Sequence, residues 1–232
     1  MKNIESDSTS AGLGNPSQAR RPLHVSKAYA AMRVIEGGAD TRGSGDADRE
    51  LLERAAAGDD ACVRALYRKH VDRIHRTVAR ILGSHDPDVE DVVQHVFLAA
   101  LDGADKFDGR SRVSTWLVGI ASRRALDQAR DRWRRGRWAR VTEMVGLGRP
   151  APRPDQCHDA LSTAEWALSR LTPDQRTVFV LHEVEGHTLA EIREMTGTGI
   201  STLHARLVSG RKRLDAALAS IGALPGGSND SA

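Results

Sequence analysis

Aromatic residues make up only 4% of the 232-residue chain. With so few rings, any core must rest on Leu, Val, Ile and Ala, which suits small helical domains better than a large sheet. Cysteine is as scarce. Cys62 and Cys157 lie far apart in sequence. One pair is no disulfide framework, and a reduced cytosolic protein is expected. No window approaches the roughly 20 apolar residues needed to span a bilayer, so no membrane insertion is expected. The opening MKNIESDSTSAG has no apolar run and does not read as a secretory signal. There is no glycine-rich phosphate loop and no nucleophile–base arrangement that would point to catalysis.

Net charge is also small, +3, but its sign is segregated. Local fields therefore decide partners more than the total does. Asp86 to Asp108 holds the acids Asp86, Asp88, Glu90, Asp91, Asp102, Asp105 and Asp108 against Lys106 alone. Arg123 to Arg140 holds Arg123, Arg124, Arg130, Arg132, Arg134, Arg135, Arg137 and Arg140 against Asp127 and Asp131. A short loop, Lys106 to Ser114, joins these two helical patterns of opposite sign. The acidic arm suits a basic partner and the basic arm a polyanion. Trp133 and Trp138 are interleaved with the arginines. Arginine neutralises phosphates while an aromatic face stacks on an unpaired base.

The all-α reading follows from periodicity. Residues 1–45, rich in Ser, Gly, Asp and Arg, are read as a disordered extension. Within them Leu23, Val25, Tyr29, Met32 and Ile35 could form a short apolar segment. Asp48 is expected to cap a first helix that ends at Gly58. Asp60 is expected to cap a second, where Val63, Leu66, Tyr67, Val71, Ile74, Val78 and Ile81 form one apolar stripe that ends at Gly83. Pro87, preceded by Asp86, opens a third, with Val89, Val92, Val93, Val96, Phe97, Ala100 and Leu101 inward. Ser111 or Ser114 caps a fourth, with Trp116, Leu117, Ile120 and Ala121 inward. These four helices would form a compact bundle over 46–140.

Residues 141–158, with Gly146, Gly148, Pro150, Pro152 and Pro154, read as a stiff linker able to hold two domains apart. Residues 159–221 are helical again. Thr172-Pro173-Asp174-Gln175 and Thr188-Leu189-Ala190-Glu191 are capping boxes. The turn Thr196 to Gly199 precedes a helix with Ile200, Leu203, Leu207 and Leu214 inward. A short helix, a Gly-bearing turn and a basic second helix form a helix-turn-helix pattern. Short side chains near the start of that helix (Ser201, Thr202, His204, Ala205) and cations around it (Arg206, Arg211, Lys212, Arg213) suit a major groove. Residues 222–232 read as a disordered tail.

Two clusters are read without a metal. Asp86, Asp88, Glu90 and Asp91 match no calcium loop, and helix N-terminal acids account for them. Cys157-His158 falls well short of a zinc site. His95 is read as a surface residue.

Taken together, these residues resemble a bacterial RNA polymerase sigma factor of the sigma-70 family, of the small two-domain extracytoplasmic-function type. DPDVEDVVQHVFLAALDGADKFDGRSRVSTWLVGIASRRALDQARDR is similar to the conserved half of the sigma-2 domain, and LSRLTPDQRTVFVLHEVEGHTLAEIREMTGTGISTLHARLVSGRKRL to the sigma-4 domain. The resemblance implies an initiation factor without catalytic residues, metal or cofactor. It implies core RNA polymerase and promoter DNA as partners, an anti-sigma protein as a further candidate, and a cytoplasmic, nucleoid-associated location.

By resemblance, Asp88, Asp91, Val92 and Gln94 would dock on the clamp of the largest polymerase subunit. Lys106, Phe107, Arg110, Ser111, Thr115, Arg123, Arg124 and Asp127 would bind and help melt the minus-ten element. Ser201, Thr202, His204, Ala205, Arg206 and Arg211 would read the minus-thirty-five element. Several positions depart from the pattern. His95 stands where an acid is usual, Arg193 where a small residue packs between helices, and Thr196 and Thr198 where Leu and Ile are usual. His204, Ala205, Val208 and Ser209 replace more basic or polar readers. A looser sigma-4 domain with weak minus-thirty-five specificity is expected. The competing readings are a helix-turn-helix regulator acting without core polymerase and, more remotely, a metal nuclease built on Asp86 to Asp91.

Overall fold

Each predicted helix forms, but several begin elsewhere than the cap signals suggest. The structure, a computed structural model, describes residues 45–143 and 160–221, and among these residues there is no strand. The helices are α1 (Gly45–Ala56), α2 (Asp60–Leu82), α3 (Val89–Asp102), α4 (Val113–Glu143), α5 (Ala160–Ser169), α6 (Pro173–Phe179), α7 (Leu189–Thr196) and α8 (Ile200–Ser220). The expected disordered ends, the apolar segment around Tyr29, and Cys157 lie outside the described residues. So does the linker except for its first residues, which continue α4 as far as Glu143.

Four cap assignments are corrected. Asp48 does not cap α1. It lies inside the first turn, buried, where it pairs with Lys69 and has His70 Nε2 at 3.9 Å. The cap of α2 is Asp59, whose side chain accepts from the amides of Ala61 and Cys62. Two adjacent aspartates offer the same cap chemistry, and the one with extended backbone takes it. Pro87 lies in the turn before α3, which starts at Val89. Neither Ser111 nor Ser114 stands at the cap of α4, which starts at Val113, so that Ser114 lies inside its first turn and the Ser111 hydroxyl donates to the Arg112 carbonyl. Other stops and caps fall where the residues suggest. Gly83 ends α2 at φ +122°, and Gly197 ends α7 in the left-handed region at φ +68°. Both capping boxes close in both directions.

The apolar stripes meet in one core. Leu52 of α1, Leu66, Ile74, Val78 and Ile81 of α2, Val93 and Val96 of α3, and Leu117, Val118 and Ala121 of α4 are buried. Each such Leu, Ile or Val side chain contributes roughly 1.5–3 kcal/mol relative to exposure. Tyr67 is the exception on its stripe. It stays 43% exposed, with its ring tilted against Phe97 at 4.8 Å. Ile200, expected inward, is 42% exposed.

The same core continues through Phe179, Leu181, Ile192, Leu203, Leu207 and Leu214. Helices of the two blocks share this core. α4 lies against α6 and α7, and α2 against α6. Gly119 of α4 lets Met195 of α7 come close. A Cβ built there would stand 3.7 Å from the Met195 Cβ. Between α6 and α7 the helix widens into a π turn over Val180–Val184. Its closing bond, from the Glu185 amide to the Val180 carbonyl at 2.9 Å, brings Glu185 round towards α2.

Candidate nucleic-acid interface

The loop after α3 is fixed by local hydrogen bonds. The Asp108 carboxylate accepts from the Arg110 amide at 3.0 Å and from the Arg110 side chain, and Gly109 takes φ +73° to complete the turn. These hydrogen bonds hold the Asp108 carboxyl below its usual range. Phe107 folds under the loop, 9% exposed, with its ring 5.3 Å from Trp116 and tilted by 52°. Trp116 is thereby a packing partner, in line with the sequence reading of its inward face.

Above this pair lies a cleft of about 890 Å³. It brings together six of the eight residues expected at the minus-ten element: Lys106, Phe107, Arg110, Ser111, Thr115 and Arg123. Arg124 and Asp127 are exposed on α4 but do not line it. One wall was not foreseen. Glu191, Glu194 and Met195 of α7 close the cleft from the other block. Arg123 Nη1 donates to the Met195 carbonyl at 2.8 Å across that wall.

The expected polymerase face divides. Asp91 and Gln94 are exposed on α3, whereas Val92 is buried in the core. Asp88 accepts from Gln128 Nε2 and from Arg132, and Arg132 also pairs with Asp86. The acidic and basic arms thus partly neutralise each other. Arms of opposite sign were legible in the sequence, but their mutual pairing, 44 positions apart, was not. His95 is at the surface. Among the described residues no three His, Cys, Asp or Glu side chains are placed to hold a metal. No helix among them is long and apolar enough to cross a membrane.

On α8, Ser201, Thr202, His204 and Ala205 are exposed. The two flanking arginines are engaged internally. Arg206 Nη2 lies 2.9 Å from Asp174 Oδ1, and Arg211 Nε donates to the buried Glu183 carboxylate at 3.1 Å. Arg193 does not intrude between the helices. It is half exposed and pairs with Glu194 at 2.6 Å. Thr196 and Thr198 are used locally. The Thr196 hydroxyl donates to the Ile192 carbonyl and accepts from the Thr198 amide.

The comparisons agree with this architecture. Residues 66–135 match the family model Sigma-70 region 2, and residues 166–214 match Sigma-70, region 4. The chain is 31% identical to the ECF RNA polymerase sigma factor SigM of Mycobacterium tuberculosis, covering 72% of this chain and 82% of that protein. It is 29% identical to the RNA polymerase sigma factor CnrH of Cupriavidus metallidurans, over 75% and 95%. The solved structure of CnrH in complex with the cytosolic domain of CnrY superposes with a TM-score of 0.52 at 28% identity, covering 75% of this chain and 98% of that one. The co-crystal structure of the sigma factor RpoE with the anti-sigma factor NepR from Bartonella quintana gives 0.51 at 25% identity, over 67% and 96%.

The chain therefore belongs to the sigma-70 family of RNA polymerase sigma factors, in its extracytoplasmic-function group. It is a transcription initiation factor that binds core RNA polymerase and directs it to promoters. A regulator working without core polymerase is not favoured.

Proposed function

We propose a division of labour among the three surfaces. Residues 46–140 form the polymerase and minus-ten domain, and residues 159–221 the minus-thirty-five domain, joined by the linker at 141–158. The exposed carboxylate of Asp91, with Gln94 and the partly open Asp88, meets basic residues of the polymerase clamp. Val92 acts from the core by holding α3 in place. The cleft of Lys106, Phe107, Arg110, Ser111, Thr115 and Arg123 takes an unstacked base of the non-template strand. Arg124 and Asp127 continue the track along α4, and melting is driven by capture of that base. Ser201, Thr202, His204 and Ala205 enter the major groove, with Arg206 and Arg211 at its edge.

The convergence of six of these side chains on one cleft carries the reading. The short, weakly basic reading face of α8 supports loose minus-thirty-five specificity, because few bidentate donors reach base edges there. We assign no catalytic residue, metal or cofactor, and place the chain in the cytoplasm at the nucleoid. CnrH and RpoE have each been solved with a protein partner, an anti-sigma factor in the second case. We infer an anti-sigma partner of the same kind for this chain.

The docking face is tested by retention on immobilised core polymerase. Asp91→Arg reverses an exposed charge that touches nothing in the core, so its circular dichroism should stay that of the wild type. Retention should fall by about tenfold, as expected when a charge across an interface is reversed. Undiminished retention would remove α3 from the docking surface. Selection of duplexes from a random pool by the full chain addresses α8. A diffuse consensus is expected, and a single sharp motif at ordinary affinity would contradict loose specificity.

A further inference from the structure

The residues expected at the minus-ten element come from the loop after α3 and from α4. The cleft has a further contributor. Arg49, near the start of α1, lines it together with Lys106 and Arg110. Its Nη1 lies over the turn at Gly109, 2.9 Å from where a Cβ would stand. Gly109 therefore meets two demands, the φ of +73° and the room for a guanidinium. Any other residue there would be strained and would push Arg49 off the loop.

Most cations around Arg49 are already engaged. Arg110 holds Asp108, and Arg123 donates to the Met195 carbonyl. Arg112 is engaged as well. Farther along α4, Arg130 Nη2 donates to Asp174 at 2.6 Å, and Arg132 pairs with Asp86 and Asp88. Arg80 of α2, which does not line the cleft, sits on Glu185 at 2.9 Å. Arg49 differs from all of these. Its Nε donates to Glu53 at 2.9 Å, and neither Nη has an acceptor among the described residues. The Lys106 ammonium makes no ion pair among them either. The acids of the cleft do not compete for these donors. Asp108 accepts from Arg110, Glu194 from Arg193 and Glu191 from Thr188. Asp46, the fourth acid, lies on the same helix as Arg49. Hydrogen bonding to Glu53, with the charges of Glu53 and Asp46, raises the Arg49 guanidinium above its ordinary value and keeps it charged.

A guanidinium tethered at Nε and open at both Nη groups suits a phosphate, whose oxygens accept paired N–H donors. A base edge suits it less. The Arg49 side chain is 51% exposed, whereas the buried floor where a base would be held is formed by Phe107. We infer that Arg49 is a phosphate clamp for the nucleic-acid strand, gripping the backbone beside the captured base while Lys106 holds it from the loop. The inference deepens the minus-ten reading of this cleft and rests on it. Turning a base out of the stack rotates the backbone around it, and a cation on α1 can hold the rotated phosphate.

The test is the salt dependence of binding by the full chain. Affinity for fluorescent oligothymidine and oligoadenine single strands is read by anisotropy over a decade of salt concentration. Arg49→Gln keeps much of the stem and a polar end but loses the charge, and Arg49→Lys keeps the charge. R49Q should lower the slope of log affinity against log salt by about 0.7, the share of one single-strand phosphate, which is about fivefold in affinity per decade of salt. R49K should keep the wild-type slope. The loss in R49Q should be equal on both strands, because a phosphate is the same beside either base. A purely structural role would lower the melting temperature and leave the slope alone, and that result overturns the clamp. A loss confined to one of the two strands also overturns it, since Arg49 would then read a base. Lys106→Gln separates the clamp from the cleft reading. If K106Q lowers the slope and R49Q does not, the clamp falls and the cleft stands. If neither variant lowers it, both fall.

Discussion

The buried carboxylate of Glu183 accepts from Arg211 Nε at 3.1 Å and again from Arg211 Nη2, which ties the middle of α8 to the π turn. Glu183 is 6% exposed in its side chain and Arg211 41%. Arg211→Ala therefore leaves a desolvated carboxylate without its main cation. The cost should be about 1–3 kcal/mol, and nearer the lower figure because Arg211 is itself part-exposed. Thermal melting should show a fall of several degrees, and E183Q/R211M should recover most of it. No fall in R211A would mean that the pair is not formed in solution. The same experiment separates Arg211's part in folding from any contact with DNA.

Acid should destabilise the second helical block, residues 160–221, in two stages. Burial, followed by the nearby Arg73 charge, pushes the His187 imidazole below its ordinary value. The folded state thus holds it neutral where the unfolded chain would protonate it. Its stability contribution is complete above the unfolded pKa and is lost as pH falls through about 6.5. Glu191 follows at lower pH. Hydrogen bonds from Thr188 hold its carboxyl below the usual range, so its contribution is present above about 4.5 and is lost further down. Melting temperature measured from pH 7.5 to 5 should decline, and His187→Asn should flatten that decline. An unchanged slope in the variant would exonerate His187.

The capping boxes set a third expectation. The Thr172 hydroxyl accepts from the Gln175 amide, and Thr188 from the Glu191 amide. Thr172→Ala and Thr188→Ala should each cost about 1 kcal/mol. In denaturant, the midpoint should move with little change in slope. T188A also unties Glu191 from the wall of the cleft.

Such boxes were legible because both partners lie within four residues and carry their chemistry in their identities. Gly83 and Gly197 were legible for the same reason, as stops. The apolar stripes of α2 and α3 gave the core face, although Tyr67 on that stripe remains at the surface beside Phe97. What lay hidden were decisions between equal candidates and contacts over distance. Asp59 and Asp60 offer identical caps, and only the backbone before α2 selects the first. Asp48 looks like a cap until Lys69 and His70 fold over it. Arg132 with Asp86, Arg130 with Asp174 and Arg80 with Glu185 each join residues more than 40 positions apart, and no local pattern announces them. The family resemblance supplied the cleft residues, but not α7 standing over them.

The salt dependence of single-strand binding gives a fourth expectation. For single strands, log affinity falls against log salt by about 0.7 per neutralised phosphate. Arg124→Ala removes an exposed cation of the α4 track and should lower the slope by about that amount. An unchanged slope would place Arg124 outside the track. Lys212→Ala, on the exposed side of α8, should leave single-strand binding as it is.

Promoter direction through core polymerase is the central claim, and run-off transcription measures it most directly. Purified core polymerase is supplied with a pool of genomic fragments, with and without the full chain. Discrete transcripts should appear only when the chain is present, and Asp91→Arg should reduce them in step with its loss of core retention. The same transcripts in equal amount without the chain, or none with it, would contradict the account.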